Sequence, residues 1–98
     1  MHYKLSIRPD AKYDANEAFV WYESKRTGLG DEFVASLREL LTRIVQTPLL
    51  FAKDRHGVHG ARIGKFPYEV YYLIELDVVD VVAVMHGNRH PRNWQSRI

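Results

Sequence analysis

The hydrophobic period of the chain changes once, and that change limits the fold more than any other feature. Between Ala11 and Ile44 the apolar residues recur at helical spacing, whereas from Tyr68 to His86 they alternate or run together as strands do. In the first stretch Ala15, Ala18, Phe19 and Tyr22 fall at i, i+3, i+4 and i+7, which predicts an amphipathic helix over Ala11–Arg26. Gly28-Leu29-Gly30 breaks it. A second helix starts at Asp31, with Glu32 in its first turn, where a negative charge suits the helix dipole. There Phe33, Leu37, Leu40, Leu41 and Ile44 repeat the stripe until Thr47-Pro48 ends it. So short a break makes the two helices an antiparallel hairpin.

Around this hairpin the chain reads as strands. Tyr3 to Arg8 alternates apolar and polar residues, and Pro9-Asp10 stops it, with the Asp10 side chain placed to cap the first helix. Leu49 to Gly57 is an irregular connector holding Lys53, Asp54, Arg55 and His56. Val58 to Lys65 reads as a strand weakened by Gly60 and Gly64. Tyr68 to Glu75 puts Val70, Tyr72 and Ile74 on one face, and Leu76-Asp77 makes a tight connection. The β-branched run Val78 to His86 is then a more buried strand. The sum is an α+β domain, β-α-α-β-β-β, with a helical hairpin packed on a mostly antiparallel sheet. Residues 1–98 make a single domain, since that length suits one core and no repeat, low-complexity tract or Gly/Ser linker divides it.

The absence of cysteine excludes a disulfide scaffold, a zinc finger and a thiol nucleophile, and suits a reducing cytoplasm. Met1-His2-Tyr3-Lys4 lacks a signal peptide's apolar stretch, and no apolar run approaches the ~18 residues of a membrane span. The expectation is a soluble cytoplasmic domain of bacterial style, without membrane contact. A net charge of +2 and a pI near 9.0 conceal an asymmetry. Residues 1–50 balance seven Lys/Arg against seven Asp/Glu, whereas residues 51–98 carry seven against five, with four of the five histidines. The last thirteen residues hold His86, Arg89, His90, Arg92 and Arg97 and no carboxylate. Such one-sided basicity fits a polyanion, an acidic protein partner, or simply a solvated tail.

Three collinear segments carry a family resemblance: Gly28-Leu29-Gly30-Asp31-Glu32-Phe33, then Arg62 with Phe66-Pro67-Tyr68, Val70 and Tyr72, then Ala83-Val84-Met85-His86-Gly87 with Arg89, Pro91 and Trp94. In this order, and over nearly the whole chain, the sequence resembles the RelE/ParE toxins of type II toxin–antitoxin systems. The resemblance implies a growth inhibitor silenced by a cognate antitoxin. It also implies one of two activities: ribosome-dependent cleavage of mRNA in the RelE-like branch, or inhibition of DNA gyrase in the ParE-like branch.

Metal-free RNA cleavage must activate a 2′-hydroxyl, stabilise charge on the phosphorane and protonate the leaving oxygen. Arg62 offers a guanidinium fork that matches phosphate oxygens. His86 offers a proton carrier whose unperturbed pKa of about 6.5 suits neutral pH. Arg89 and His90 can assist from the loop after the last strand. A nuclease would therefore use Arg62, His86 and Arg89 as its catalytic set. RelE-like members tend to add a C-terminal tyrosine or histidine, several lysines or a glutamate. Here no tyrosine follows Tyr72, and the relevant half offers only Lys53, Lys65, Glu69 and Glu75. That sparseness, with the ending His86-Gly87, Arg89, Pro91 and Trp94, favours the gyrase branch over the nuclease; a degenerate non-toxic member is a third reading.

The same residues have structural readings. Arg62 can pair with Glu69 or Glu75 across the sheet. His86 can satisfy a backbone group at its strand's end. Trp94 can pack back on the body with Arg89 or Arg92 stacked on it. His86 and His90 stand four apart, a ligand spacing that belongs on a helix rather than on a chain leaving a strand through Gly87, so neither metal nor cofactor is expected. Antitoxins of the family are acidic and amphipathic in their C-terminal part. With the hairpin on one face, the opposite face and the sheet edges are left for such a segment, its carboxylates meeting Arg62, Arg89 and Arg92. Lys65, His90 and Trp94 complete the expected antitoxin- or target-binding set.

Overall fold

In the computed structural model, which describes residues 3–87 and 97–98, the elements follow the expected order. They are β1 (Lys4–Ile7), α1 (Pro9–Lys25), α2 (Leu29–Gln46), a 3-10 turn at Pro48–Leu50, β2 (His59–Arg62), β3 (Tyr68–Glu75) and β4 (Val78–His86). The strands form one sheet in the order β1-β4-β3-β2. β1 runs parallel to β4, and the other two pairings are antiparallel.

Three local differences from the sequence reading have plain causes. Asp10 does not cap α1: Arg8 holds the cap position without a side-chain bond, and Pro9 occupies the first turn, where its fixed φ and missing N–H cost nothing. α2 begins at Leu29 rather than Asp31, because Gly28 takes the left-handed conformation and Glu23 reaches across from α1. The Gly28 and Gly30 amides donate to the two Glu23 carboxylate oxygens at 2.9 and 3.0 Å, satisfying helix-end donors that no local cap serves. β2 is only four residues long, since Gly64 at φ 49° turns the chain out of the sheet before Lys65.

The core lies between the hairpin and one face of the sheet. Phe33, Leu37, Leu40 and Ile44 of α2 and Ala11, Ala18 and Tyr22 of α1 pack on Val70, Tyr72, Val79, Val81 and Val84. Tyr72 is fully buried, and its hydroxyl donates to the Pro48 carbonyl at 2.6 Å, tying the 3-10 turn to the sheet. His59 stacks on Tyr72 at 4.9 Å and 9°, with Nδ1 2.8 Å from the Phe51 carbonyl.

The other face is not the open basic surface expected from sequence. Val58, Val82, Ala83 and Met85 are buried there with Tyr71 and Leu73 packed on them, because alternate residues of β3 and β4 are apolar on both sides. The pairing of β3 with β4 is irregular at one point. Tyr71 pairs with Ala83 and Tyr72 with Val81, so Val82 is an extra residue in β4, a β-bulge.

Candidate functional site

β1 stops at Ile7, opposite Val81, and the chain turns at once into α1. From Val82 onward β4 therefore has no neighbouring strand on that side among the described residues. Between this edge and α1 lies a groove of about 710 Å³, walled by Tyr13, Glu17, Trp21 and Tyr22 and by Tyr68 and His86. The helix supplies aromatic residues to both sides. Tyr22 points inward, while Tyr13 and Trp21 are 64% and 52% exposed at the rim.

An ion-pair clasp closes one end of the groove. Arg97 Nη1 and Nη2 donate to the Asp14 carboxylate at 2.6 and 3.1 Å, and Nη1 also donates to the Val82 carbonyl at 3.2 Å. Asp14 in turn accepts from the Val84 amide at 3.1 Å. Side chains thus cover two backbone groups of the β4 edge that a strand would otherwise pair. The Asp14 hydrogen bond raises the Arg97 pKa above its ordinary value, against the opposing effect of burial. Arg8 extends the clasp: it donates to the Arg97 carbonyl and grips Asp80 through Nε and Nη2 at 3.1 and 2.8 Å.

At the other end Tyr22, Phe33, Phe66 and Tyr68 form an aromatic cluster with ring centroids 4.9–5.8 Å apart. His86 meets Tyr68 edge to face at 5.6 Å. Burial, with repulsion from Tyr68, pushes the Tyr22 phenol above its usual pKa.

Arg62 is elsewhere. It pairs in register with Glu69, which pairs with Met85 on the face away from the helices, whereas His86 pairs with Tyr68 on the helix face. The two residues expected to act together therefore stand on opposite faces of the sheet, with β3 between their strands. Among the described residues Arg62 makes no ion pair, so its cross-strand pairing with Glu69 or Glu75 is absent there. Lys65 is committed to Glu32 at 3.0 Å. Arg89, His90, Arg92 and Trp94 lie outside the described residues, as does any pairing of His86 with His90. No group of three or more His, Asp or Glu able to hold a metal occurs among the described residues.

Sequence reasoning missed Asp14, Arg97, Arg8 and Asp80. One signal was available: Asp80 interrupts the run Val78-Val79-Asp80-Val81-Val82 and requires a partner if buried.

The chain thus forms an α+β domain of two helices on a four-stranded mixed sheet, with β1 parallel to β4. The family model "ParE toxin of type II toxin–antitoxin system, parDE" matches residues 5–91, and the chain belongs to that family. Solved structures agree on the fold. A chromosomal ParDE toxin–antitoxin system from P. aeruginosa superposes with a TM-score of 0.77 at 12% identity, covering 87% of this chain and 96% of that one. An E. coli RelE double arginine-to-alanine mutant in the free state gives 0.68 at 18%, covering 90% and 86%. The RelBE2 toxin–antitoxin complex from Mycobacterium tuberculosis gives 0.65 at 19%, covering 88% and 99%. A comparison with curated proteins finds no match.

Proposed function

We propose that the chain is a growth-inhibiting toxin of the bacterial cytoplasm, held silent by a cognate antitoxin, and that its target is DNA gyrase. The observation that carries the choice of target is the register. Arg62 and His86, the two described members of the nuclease set, lie on opposite faces of the sheet, an arrangement that argues against their gripping one phosphate together. The family match to the ParE toxins supports the same choice.

Silencing has a physical basis at the β2 edge. The connector covers only the first half of that edge, with Gly60 N–H bonded to the Ala52 carbonyl and Asp54 N–H to the Val58 carbonyl. Arg62 follows without such a cover among the described residues, and exposed Lys53, Arg55 and His56 lie in the adjoining connector. An acidic segment laid along this edge meets strand backbone together with cations that form no ion pair among the described residues.

Inducing the toxin alone tests the target. Gyrase–DNA complexes and DNA damage before any translation arrest are the expected outcome. Early translation arrest with cut transcripts replaces this reading with a ribosome-dependent endoribonuclease, and the absence of any growth defect makes the chain a degenerate member. Arg62→Glu should weaken antitoxin binding at least tenfold, the scale of a rim charge reversal, without changing toxicity in cells lacking antitoxin. Unchanged affinity removes the β2 edge from the antitoxin surface.

A further inference from the structure

The 3-10 turn that follows α2 carries two adjacent leucines outward. Leu49 and Leu50 are 72% and 79% exposed, although the backbone that bears them is tightly held. Pro48 is buried and its carbonyl accepts from Tyr72, while the Leu50 amide donates to the Thr47 carbonyl at 3.1 Å. On the other side Phe51 packs on the core with its carbonyl 2.8 Å from His59 Nδ1, and the Ala52 carbonyl accepts from the Gly60 amide at 3.0 Å. Anchored at both ends, the turn keeps the two side chains in water. Large apolar residues held together on a fixed backbone mark a contact surface.

The surroundings are basic. From Arg43 to Arg62 the chain holds Arg43, Lys53, Arg55 and Arg62 against a single carboxylate, Asp54. The four cations are exposed, and none forms an ion pair among the described residues. Asp54 is engaged with the backbone, accepting from the His56 and Val58 amides at 2.8 and 3.0 Å. The described residues that border the undescribed ones stand elsewhere. Tyr3 precedes β1, on the opposite edge of the sheet from β2, while Gly87 bonds to Pro67 and Arg97 to Asp14.

Apolar and cationic surface together select a partner that is apolar and anionic. A nucleic acid would meet the cations but leave the leucines in water. A second copy, docked by two-fold symmetry, would bring two basic patches together. An acidic protein segment bearing large apolar side chains satisfies both halves of the surface. We infer that Leu49 and Leu50 are the apolar anchor point of the silencing partner, whose acidic segment sets large apolar side chains over them while its carboxylates meet Arg43, Lys53 and Arg55. The inference rests on the antitoxin reading of the adjoining β2 edge and adds to it the apolar contact that this edge lacks.

A randomised dodecapeptide library displayed on phage, panned on the immobilised full-length protein, tests it. Enriched peptides should combine Asp or Glu with at least two large apolar residues. Made synthetically, the best of them should lose affinity about tenfold on Leu50→Ser, the scale of one leucine withdrawn from a contact, and further when Leu49→Ser is added. Lys53→Glu with Arg55→Glu should turn the enrichment towards Lys and Arg. All four positions are exposed, and circular dichroism verifies that the variants remain folded. Loss of binding on the leucine substitutions but not on Arg62→Glu keeps the leucine contact and removes the β2 edge from the surface; the reverse result removes the leucine contact and keeps the edge. The inference is overturned if nothing is enriched over the double leucine variant as bait, or if the peptides are basic or uncharged. It is equally overturned if phosphatidylglycerol vesicles bind the protein and not that variant, for the occupant is then a lipid surface, or if the protein elutes as a dimer that the variant dissociates, for the occupant is then a second copy.

Discussion

Asp14→Ala is the substitution whose cost the structure predicts most directly. The Asp14 side chain is only 10% exposed and serves three donors: two from Arg97 at 2.6 and 3.1 Å and the Val84 amide at 3.1 Å. Removing it leaves the Arg97 guanidinium, 19% exposed, without its counter-charge, and strips the Val84 N–H of its acceptor. Breaking a well-buried pair costs about 3–5 kcal/mol, and an orphaned buried amide about 1–3 kcal/mol. Arg97 is not fully buried and can recover some water, so the expected total is about 3 kcal/mol, below the simple sum of the two ranges. For a domain of this size that lowers Tm by roughly 12–24 °C. Asp14→Asn keeps an acceptor for Val84 and should cost about half as much. Arg97→Ala, which leaves Asp14 its backbone bond, should fall between about 1 and 2 kcal/mol. Urea denaturation followed by circular dichroism gives all three, and the double variant gives the coupling. A loss below about 0.5 kcal/mol for Asp14→Ala, or strictly additive single losses, means that the clasp does not hold α1 to the sheet.

The other expectations concern isolated features. Leu76 sits in the β3–β4 turn at φ 54° and is 96% exposed, so Leu76→Asn should stabilise by about 0.5–1 kcal/mol; an unchanged urea midpoint refutes the strain. Tyr72→Phe removes the bond to the Pro48 carbonyl and should cost about 1–2 kcal/mol, while a loss near zero would show that water replaces the hydroxyl. Burial raises the Tyr72 phenol to about 12, so stability present below its ordinary value of 10.0 is lost as pH rises between the two. Absorbance titration should show one tyrosine ionising last, and its absence in Tyr72→Phe assigns it. Hydrogen bonds from Lys65 and Arg26 hold the Glu32 carboxyl below its ordinary 4.5. Its contribution is therefore complete above 4.5 and disappears as pH falls through the lower folded value. Glu32→Gln should flatten the acid limb of the stability curve in low salt, and an identical limb refutes the bridge.

How far the sequence reaches depends on whether a feature is local. β3 and β4 occupy the residues their alternation predicts, and the apolar stripe of α2 is the buried stripe. The parallel pairing of β1 with β4 was invisible, since a four-residue strand carries no mark of its neighbour's direction. The start of α2 was misplaced because the carboxylate that serves its amides comes from Glu23, five residues before Gly28 on the other helix. The separation of Arg62 from His86 was harder still. Strict alternation from Val79 and Val81 puts His86 on the face away from the helices, which is also the face of Arg62. Only the extra residue at Val82 reverses this, and nothing in a run of valines announces it.

That extra residue makes the end of β4 tolerant of exchange and intolerant of shortening. Any apolar side chain of similar size at Val82 keeps the pairing of Ala83 with Tyr71. Deleting it would rotate every later position by half a turn, drawing Val84 out of the interior and driving Met85 into its place. The groove wall built on His86 would then open on the other side of the molecule. Among related chains, single-residue insertions and deletions should accordingly be rarer here than in the connector between α2 and β2.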